Sequence, residues 1–482
     1  MKKPNMLEMN KEMALAIADY YEYSMVYANI KNNYFGKNSV FDVIVRSLPK
    51  NKVIGTFEYE GIKYDKVVQR DYLVNAGLEQ VLAYFTQLEG NKKIRDYIED
   101  VQGAEDGNFL DWVENMKFKG DIYAMTEGTV FFGKEHQMRI HGKFEEAQIF
   151  ESLILNTINP QTNVASTAND IAEVANKVLL EGGSRRAGSP QSAMFNSRAA
   201  RIGGFTASSN VAYGMNNEEK VGGTHGHSYV MLYPSEYNSF KAQSKTFKDK
   251  VCFLLDTYNI KSALGIALKV VNEEKLEHFA FRIDSGNLLE QAKYIHKEMQ
   301  KKGYKRKDYT LVASDDLTAG KISDLENKCA DIDKYLVGTY VVNPPKPVTA
   351  VYKLAAYHDG ENWIEKGKLS ENLDKATLPG IKQVYRIIGK DGYYKKDIVA
   401  FEGEDLSDYL DEEDVYEPLL KLVVKNGELV YDMPTINEIS EKRQNELKRF
   451  KDLKNYQVIV SDKVLERQKE IMKKYLNMEV RK

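Results

Sequence analysis

Short apolar runs alternate with amphipathic stretches of about 10 to 18 residues between residue 175 and residue 342. This alternation is typical of successive β-α units, in which each apolar run is a buried strand and each longer stretch is a helix. The predicted strands are "KVLLEG", "RIGGF", "VCFLLD", "FAFRID", "YTLVAS" and "KYLVGT", with "GTHGHSYV" as a weaker seventh. The pattern predicts an α/β fold, and its periodicity fits either a closed barrel or an open parallel sheet.

Capping signals support the helices between these strands. Ser189 and Pro190 form an N-cap and N1 pair, and a stretch ending before Gly303 has apolar residues on one helical face: Leu288, Leu289, Ala292, Ile295 and Met299.

Outside this region the sequence pattern is different. The segment up to about residue 130 reads as α+β, with "VFDVIVRSL" as a strand and "NAGLEQVLAYFTQL" as a helix, and "EISEKRQNELKRFKDLKNYQ" predicts a solvated, charged helix near the carboxyl end.

Charge and cysteine content limit the function classes. The chain has 482 residues, enough for two or three domains, and 68 Lys and Arg residues balance 71 Asp and Glu residues. This balance indicates neither a nucleic-acid nor an anionic-membrane partner, so any anion site must be local. Cys252 and Cys329 have no disulfide or zinc spacing, which fits a reducing cytoplasm. "MALAIA" is too short for a signal sequence or a membrane span, so we expect a soluble, intracellular protein.

Several predicted strands end in polar or small residues. These residues are Asp256, Asp284, Ser314 with Asp315, and Gly338 with Thr339. The carboxyl ends of parallel strands carry the active site in α/β folds, although a single Asp or Ser there is as often a helix cap. Taken together, the set favours a functional site.

Cationic and glycine-rich segments accompany these polar groups. Arg282 and Asp284 are two residues apart on one strand and therefore project to the same side. In "EGGSRRAGS", Arg185 and Arg186 follow glycines, an arrangement suited to phosphate or carboxylate, although a surface arginine pair is the alternative interpretation. Glycines recur in "RIGGFTASSN", "VGGTHGH" and "VGTYVV", which favours backbone amides that bind phosphates.

"GGTHGHSYV" places His225 and His227 behind two glycines and Thr224. An imidazole titrates near neutrality, so one ring nitrogen can attack a phosphoryl group while a hydrogen bond holds the other. An isolated histidine is more often structural. His225 and the remaining histidines show no constellation that would predict chemistry.

An ordered series of motifs runs from about Asp19 to near residue 475 and strongly resembles nicotinate phosphoribosyltransferase. The motifs are "EGTVFFGKE", "FEEAQIFESLILNTIN", "GSRRA", "GGFTASSNVAYG", "GTHGHS", "DTY", "RIDSGNL", "SDDL", "VGT", "VYKL" and "KLS...PGIKQVYR". Their order and spacing carry the specificity, because "DTY" or "VGT" alone would mean nothing.

The resemblance implies an irregular TIM-like α/β barrel over residues 151–389 and an α+β domain formed by residues 1–150 and completed by about 390–482. It implies transfer of phosphoribose from phosphoribosyl pyrophosphate, with Mg²⁺, to nicotinate, giving nicotinate mononucleotide and pyrophosphate for NAD synthesis. ATP would be a co-substrate, hydrolysed through a phosphohistidine. A homodimer is expected, since the family's active site commonly lies at a dimer interface.

The resemblance also assigns roles. His227 would accept the phosphoryl group, and His227, Asp284 and Arg185 would be the catalytic residues. The phosphoribosyl and pyridine groups would contact Tyr21, Arg185, Ser209, Thr224, Arg282, Asp284, Ser314, Asp315, Gly338 and Thr339. Arg46 and Lys368 would be further contacts for pyrophosphate or ATP, and no resident metal ligands are assigned. Arg185 and Ser209 at the ring carboxylate predict a preference for nicotinate over nicotinamide.

Three positions depart from the family pattern. Gly182 stands where members usually have an aromatic residue, Ala207 and Ser208 replace glycine and threonine, and Asn287 replaces an aspartate. The sequence leaves two alternatives open. One is a nicotinamide-specific transferase, which would place a carboxylate near Ser209, and the other is a catalytically silent ligand sensor, which would lack His227, Arg185 or Asp284.

Overall fold

The computed structural model describes residues 10–59, 62–175, 177–368 and 376–479. Its helices in chain order are α1 (Lys11–Ala14), α2 (Tyr20–Lys31), α3 (Leu78–Gln87), α4 (Lys92–Gln102), α5 (Gly107–Asn115), α6 (Phe144–Gln148), α7 (Glu151–Ala175), α8 (Pro190–Ile202), α9 (Val211–Asn217), α10 (His227–Leu232), α11 (Glu236–Phe247), α12 (Ile260–Glu274), α13 (Leu288–Lys301), α14 (Ala319–Asn327), α15 (Thr339–Val342), α16 (Ile436–Lys448) and α17 (Asp462–Glu479).

The strands are β1 (Asn38–Val45), β2 (Lys52–Tyr59), β3 (Ile62–Val68), β4 (Leu73–Val74), β5 (Asp121–Met125), β6 (Val130–Phe131), β7 (His136–Lys143), β8 (Val178–Glu181), β9 (Ala207–Ser208), β10 (Cys252–Leu254), β11 (Phe279–Ile283), β12 (Tyr309–Ala313), β13 (Lys334–Val337), β14 (Ala350–His358), β15 (Trp363–Glu365), β16 (Lys382–Ile388), β17 (Tyr394–Phe401), β18 (Val415–Pro418), β19 (Leu420–Lys425), β20 (Glu428–Leu429) and β21 (Gln457–Val460). The chain forms two compact units. Unit 1 comprises Met1–Pro49, Arg70–Ser166 and Lys346–Lys482, and unit 2 comprises Lys50–Gln69 and Thr167–Pro345.

Unit 2 contains a six-stranded parallel sheet in the order β10-β11-β12-β13-β8-β9. The intervening helices pack on it as the β-α alternation predicted, and α13 buries Leu288, Ala292, Ile295 and Met299. Within the described ranges β9 and β10 do not pair, so strand pairing shows an open sheet and does not confirm barrel closure. The parallel order brings the carboxyl ends of all six strands to one edge.

Two of the predicted strands in this region are wrong. "RIGGF" contains the last turn of α8 and a following turn that buries Phe205, and the sixth strand is instead β9. The "HSYV" part of "GTHGHSYV" begins α10, and the residues before it have no regular structure. A short apolar run can be buried as strand, helix end or turn, which periodicity alone does not separate.

The β2–β3 hairpin comes early in the chain but belongs to unit 2. It approaches α14 so closely that a Cβ atom on Gly320 would lie 2.6 Å from the backbone nitrogen of Gly55. Glycine is required there because the two backbones touch.

Unit 1 is built on a seven-stranded sheet in the order β15-β14-β1-β7-β5-β19-β20. The predicted strand at "VFDVIVRSL" is β1 and the predicted helix at "NAGLEQVLAYFTQL" is α3, both buried in one large apolar core. A second sheet has the order β18-β16-β17-β21.

The carboxyl-terminal charged segment is less solvated than predicted. The helix α16 ends at Lys448, residues 449–456 leave the helix, and Gln457 begins β21. Oε2 of Glu446 on this helix lies 3.1 Å from Nη1 of the buried Arg386. Nη2 of Arg386 also lies 2.7 Å from Oδ2 of the buried Asp397. A charged residue can therefore be internal when its partner comes from a distant strand.

No helix in the described part of the chain has the length and apolarity to cross a membrane.

Candidate active site

The carboxyl edge of the unit 2 sheet carries a polar cavity of about 240 Å³. Seven of the sequence-predicted site residues line it: Arg185, Arg282, Asp284, Ser314, Asp315, Gly338 and Thr339. Gly182, Arg186, Asp316 and Leu336 complete the lining. The structure thus brings together residues from the ends of β8, β11, β12 and β13.

Arg282 is the centre of the hydrogen-bond network in this cavity and is only 8% exposed. Its Nη2 atom lies 2.8 Å from Oδ2 of Asp284, and its Nε donates to Oγ of Ser314 at 2.9 Å. Nη1 donates to Oγ1 of Thr224 at 2.9 Å and to the carbonyl oxygen of His225 at 3.1 Å. The guanidinium therefore ties two strand ends to the loop that precedes His227, and its fixed fork orients Asp284.

His227 is the first residue of α10 and its side chain is 39% exposed. Its Nε2 atom lies 3.3 Å from Oδ1 of Asp256, whose side chain is 6% exposed. The other oxygen of Asp256, Oδ2, accepts a 2.6 Å hydrogen bond from Oγ of Ser285. A nearly buried carboxylate thus orients the imidazole, while the ring keeps an open side toward solvent.

The sequence placed Asp256 in the strand-end set that favours a functional site but assigned it no role. Its position directly after β10 was the available signal, and a helix-capping role would leave the same signal. Ser285, which fixes Asp256, follows Asp284 in the sequence and gave no separate signal.

His225 has a different environment from His227. Burial lowers its pKa to about 4, and the positive charge of Arg282 acts in the same direction. Its ring packs edge-on against Tyr229, with centroids 5.3 Å apart. A half-buried imidazole with a lowered pKa, packed on an aromatic ring, agrees with the structural role expected for His225.

The turn that carries Arg185 and Arg186 is held by the buried carboxylate of Glu181. Oε1 of Glu181 accepts from the backbone N–H of Gly183, and Oε2 accepts from Ser197 at 2.8 Å and Ser208 at 2.6 Å. Both arginines are exposed, and within the described ranges neither guanidinium has a hydrogen bond or ion pair. The turn therefore presents two free cations from a rigid base. No sequence pattern singled out Glu181.

Asp315 and Asp316 adopt backbone φ angles of 96° and 41°. Such left-handed conformations cost about 1 kcal/mol or more for non-glycine residues and concentrate at ligand sites. Burial raises the pKa of Asp315, and the carboxylates of Asp316, Asp284 and Asp256 add to that rise, while Lys321 opposes it. The cavity thus holds a concentration of negative charge beside its arginines.

This charge distribution fits Mg²⁺ delivered with a polyphosphate substrate. The described residues include no group of three or more His, Cys, Asp or Glu side chains spaced to hold a metal ion alone. Mg²⁺ commonly binds one or two carboxylates together with substrate phosphates and water. Asp284 and Asp315 are hard oxygen donors that line the cavity and match that requirement.

The remaining predicted residues have different positions. Thr224 contacts Arg282 but does not line the cavity, and Ser209 lies at the end of β9, where its backbone N–H donates to the carbonyl oxygen of Glu181 at 2.8 Å. Tyr21, Arg46 and Lys368 belong to unit 1. Tyr21 is 43% exposed, and the burial of the rest of the residue, together with the Glu151 carboxylate, raises its pKa.

Arg46 is half-buried after β1, and Lys368 is exposed, its backbone N–H donating to Thr377 at 2.8 Å. The neighbouring Leu369 and Ser370 of the "KLS" motif lie outside the described residues. Two of the residues that depart from the family pattern have local structural roles. Ser208 binds Glu181, and Asn287 caps α13 by accepting from the backbone N–H of Glu290 at 3.2 Å.

Comparisons with known proteins agree with the motif series. The model of the nicotinate phosphoribosyltransferase (NAPRTase) N-terminal domain matches residues 17–159, and that of the nicotinate phosphoribosyltransferase C-terminal domain matches residues 381–466. Nicotinate phosphoribosyltransferase of Bacillus subtilis (strain 168) is 31% identical, with 89% of this chain and 88% of the relative covered.

Solved structures show the same fold. The crystal structure of human nicotinic acid phosphoribosyltransferase matches with a TM-score of 0.76 and 20% identity, covering 94% of this chain and 99% of that one. The nicotinate-nucleotide pyrophosphorylase from Pyrococcus furiosus matches with a TM-score of 0.70 and 23% identity, covering 92% and 97%. By the extent and level of its identity to the Bacillus subtilis relative, this chain belongs to the nicotinate phosphoribosyltransferase family.

Proposed function

We propose that the protein is a nicotinate phosphoribosyltransferase that forms nicotinate mononucleotide and pyrophosphate in NAD salvage. The observation that carries this proposal is the Arg282–Asp284 pair in a cavity that also holds Arg185, Gly338 and Thr339. In this arrangement carboxylates and cations face one small volume. That combination suits a sugar diphosphate and an acidic heteroaromatic ring.

The transfer passes through an oxocarbenium-like state by analogy with glycosyl chemistry. The ring nitrogen of nicotinate forms a bond to C1 of the ribose while the bond from C1 to the pyrophosphate oxygen breaks. Asp284, held by Arg282, would bind ribose hydroxyls, with Ser314 and Asp315 in the same pocket. Gly338 and Thr339 would bind the 5′-phosphate through backbone N–H groups and a hydroxyl, which positions the two reactants.

Arg185 would bind the carboxylate of nicotinate, with Ser209 beside it. Opposite charges about 4 Å apart attract by about 4 kcal/mol at an effective dielectric near 20, before desolvation. This attraction is absent for the neutral amide of nicotinamide. The proposal therefore includes selectivity for the acid.

ATP coupling is proposed to pass through His227. Asp256 holds Nε2, so Nδ1 would attack the γ-phosphorus of ATP, the bond to the β,γ-bridging oxygen would break, and ADP would leave. Mg²⁺ bound with the substrates would neutralise charge on the phosphates. Asp284 and Asp315 are the side chains proposed to hold it.

Finer features of the architecture are also proposals. By resemblance to its family, unit 2 would form an irregular barrel, and units 1 and 2 would correspond to the α+β and barrel domains. Tyr21, on unit 1, would reach a pyridine ring in a homodimer, with Arg46 and Lys368 as contacts for pyrophosphate or ATP. The two free cysteines support a cytoplasmic location.

A coupled assay with nicotinate, phosphoribosyl pyrophosphate and ATP tests the proposal. We expect the wild type to convert nicotinate to nicotinate mononucleotide faster than it converts nicotinamide to nicotinamide mononucleotide. His227→Ala should abolish ATP hydrolysis and its coupling while leaving slow ATP-independent transfer, and His278→Ala, an exposed histidine, is the control. Mass spectrometry after exposure to ATP should detect phosphohistidine at residue 227. Faster conversion of nicotinamide would contradict the proposal.

A further inference from the structure

Leu336 is the one aliphatic side chain among the described residues that line the active-site cavity. The remaining lining is made of arginines, aspartates, a serine, a threonine and glycines. We propose that Leu336 is a specificity-determining residue whose side chain packs against one flat face of the pyridine ring, and that Gly182 keeps this surface open. The inference rests on the proposed nicotinate activity.

The strand register explains the position of Leu336. Leu336 on β13 is paired with Leu180 on β8, which is paired in turn with Ala207 on β9. Residues paired in a parallel sheet project to the same face, so these three half-buried side chains form an aliphatic row across neighbouring strands. Tyr335 and Val337 alternate with Leu336 and are fully buried. Leu336 is the member of the row that reaches the cavity.

A side chain at position 182 would occupy the same space as the Leu336 side chain. A Cβ atom on Gly182 would lie 2.8 Å from Cδ1 and 3.3 Å from Cγ of Leu336. Gly182 is held in place because its backbone N–H donates to the carbonyl oxygen of Val337 at 2.8 Å. A larger residue at position 182 would therefore displace the Leu336 side chain rather than stack beside it.

The chemistry of the substrate matches this division of the cavity. Ribose hydroxyls and phosphates require the polar groups of Asp284, Gly338 and Thr339, whereas the face of a heteroaromatic ring requires apolar contact. Arg185 lines the same cavity and can receive the ring's carboxylate. A flat aromatic acid can therefore lie with one face on Leu336 and its carboxylate on Arg185.

Steady-state kinetics on Leu336→Ala test the inference. The KM for nicotinate should rise about tenfold, equivalent to about 1.4 kcal/mol, with the KM for phosphoribosyl pyrophosphate within about twofold of wild type. Leu336→Met, which retains an apolar side chain of similar volume, should restore the nicotinate KM to within about threefold. Leu336→Val, with a smaller rise of about threefold, serves if Leu336→Ala does not fold.

Leu180→Ala is the matched control, because it removes the same atoms from the neighbouring strand at the same register position. Its nicotinate KM should stay within about twofold of wild type. Gly182→Phe alone should raise the nicotinate KM, since the new ring collides with Leu336. The double variant Gly182→Phe/Leu336→Ala should bind nicotinate better than either single variant, because the truncation opens the space that the phenyl ring needs.

The outcomes separate this inference from the proposed function. A wild-type protein that forms no product from nicotinate overturns both. An active wild type overturns the inference alone if Leu336→Ala leaves both KM values unchanged or raises them equally, or if Leu180→Ala has the same effect. The inference would also be overturned if the rise in nicotinate KM of the double variant were the product of the rises in the two single variants.

Discussion

Nε2 of His227 lies 3.3 Å from Oδ1 of Asp256. This contact leaves the opposite nitrogen of the ring as the nucleophile in the proposed phosphoryl transfer. Oγ of Ser285 donates to the other carboxylate oxygen of Asp256, Oδ2, at 2.6 Å. Ser285, Asp256 and His227 therefore form a chain of three oriented groups. Such a chain fixes both the ring orientation and the nitrogen that carries the proton.

Asp256→Asn should therefore uncouple ATP hydrolysis from transfer. We expect ATP-dependent turnover to fall by about 10²-fold, because the amide no longer stabilises the protonated or phosphorylated ring. The measurement is ADP released per nicotinate mononucleotide formed. Ser285→Ala keeps the carboxylate and should have a smaller effect. Full coupling in Asp256→Asn would show that His227 is not oriented by this residue.

Arg282→Lys should impair catalysis although it preserves the charge. An ammonium group cannot maintain the planar set of bonds to Asp284, Ser314 and Thr224, and we expect kcat/KM to fall by about 10²-fold. Arg306→Lys is the control, since Arg306 also pairs with two carboxylates, Asp331 at 2.6 Å and Asp333 at 2.8 Å. Equal losses in both variants would indicate a general effect of replacing arginine.

Arg185→Gln should reduce selectivity for the acid. We expect kcat/KM for nicotinate to fall by about 10²-fold and that for nicotinamide to change by no more than about threefold, because only the carboxylate loses an ionic partner. Measuring both substrates on the same preparation supplies the internal control. A parallel loss for both would place Arg185 at the phosphates instead.

Glu22→Gln should change the pH dependence of stability. Burial raises the pKa of Glu22 from 4.5 to about 8, although hydrogen bonds from Ser152 oppose the rise. The folded state therefore binds this proton more tightly than the unfolded state. The resulting stabilisation is complete below about pH 4.5 and is lost as the pH rises toward 8.

The glutamine cannot ionise, and its carbonyl oxygen can still accept from Ser152. The free energy of unfolding is measured by chemical denaturation. Its value for Glu22→Gln should increase relative to that of the wild type as the pH rises from 5 to about 8. Glu89→Gln alters an exposed carboxylate and is the control. A difference between Glu22→Gln and the wild type that is independent of pH would show that Glu22 does not titrate in this range.

Long, capped segments of the fold were predictable from the sequence, and very short ones were not. Ser189 caps α8 as expected, and Gly303 adopts a φ of 84° just after α13. Ala207 and Ser208 form a two-residue strand whose placement depends on Glu181, so no local apolar pattern marks it. The turn at Phe205 is apolar because it is buried, not because it is extended.

For the candidate site, strand ends were informative because the carboxyl ends of parallel strands meet at one edge of the sheet, where ligand sites form. Asp284, Ser314 and Gly338 were found this way. Partners such as Glu181 and Ser285 were missed because their importance lies in which atom they contact, and that depends on tertiary geometry. The same holds for Leu336, whose apolar character predicted only a strand.

The chain crosses between the two units four times, at residues 49–50, 69–70, 166–167 and 345–346. Neither unit is a contiguous stretch of polypeptide, so the ribosome has to release nearly the whole chain before unit 1 has all its strands. A gene fragment encoding residues 167–345 would leave out the hairpin that contacts Gly320, exposing α14 to water. Dissection of this protein therefore calls for circular permutation or an engineered linker rather than simple truncation.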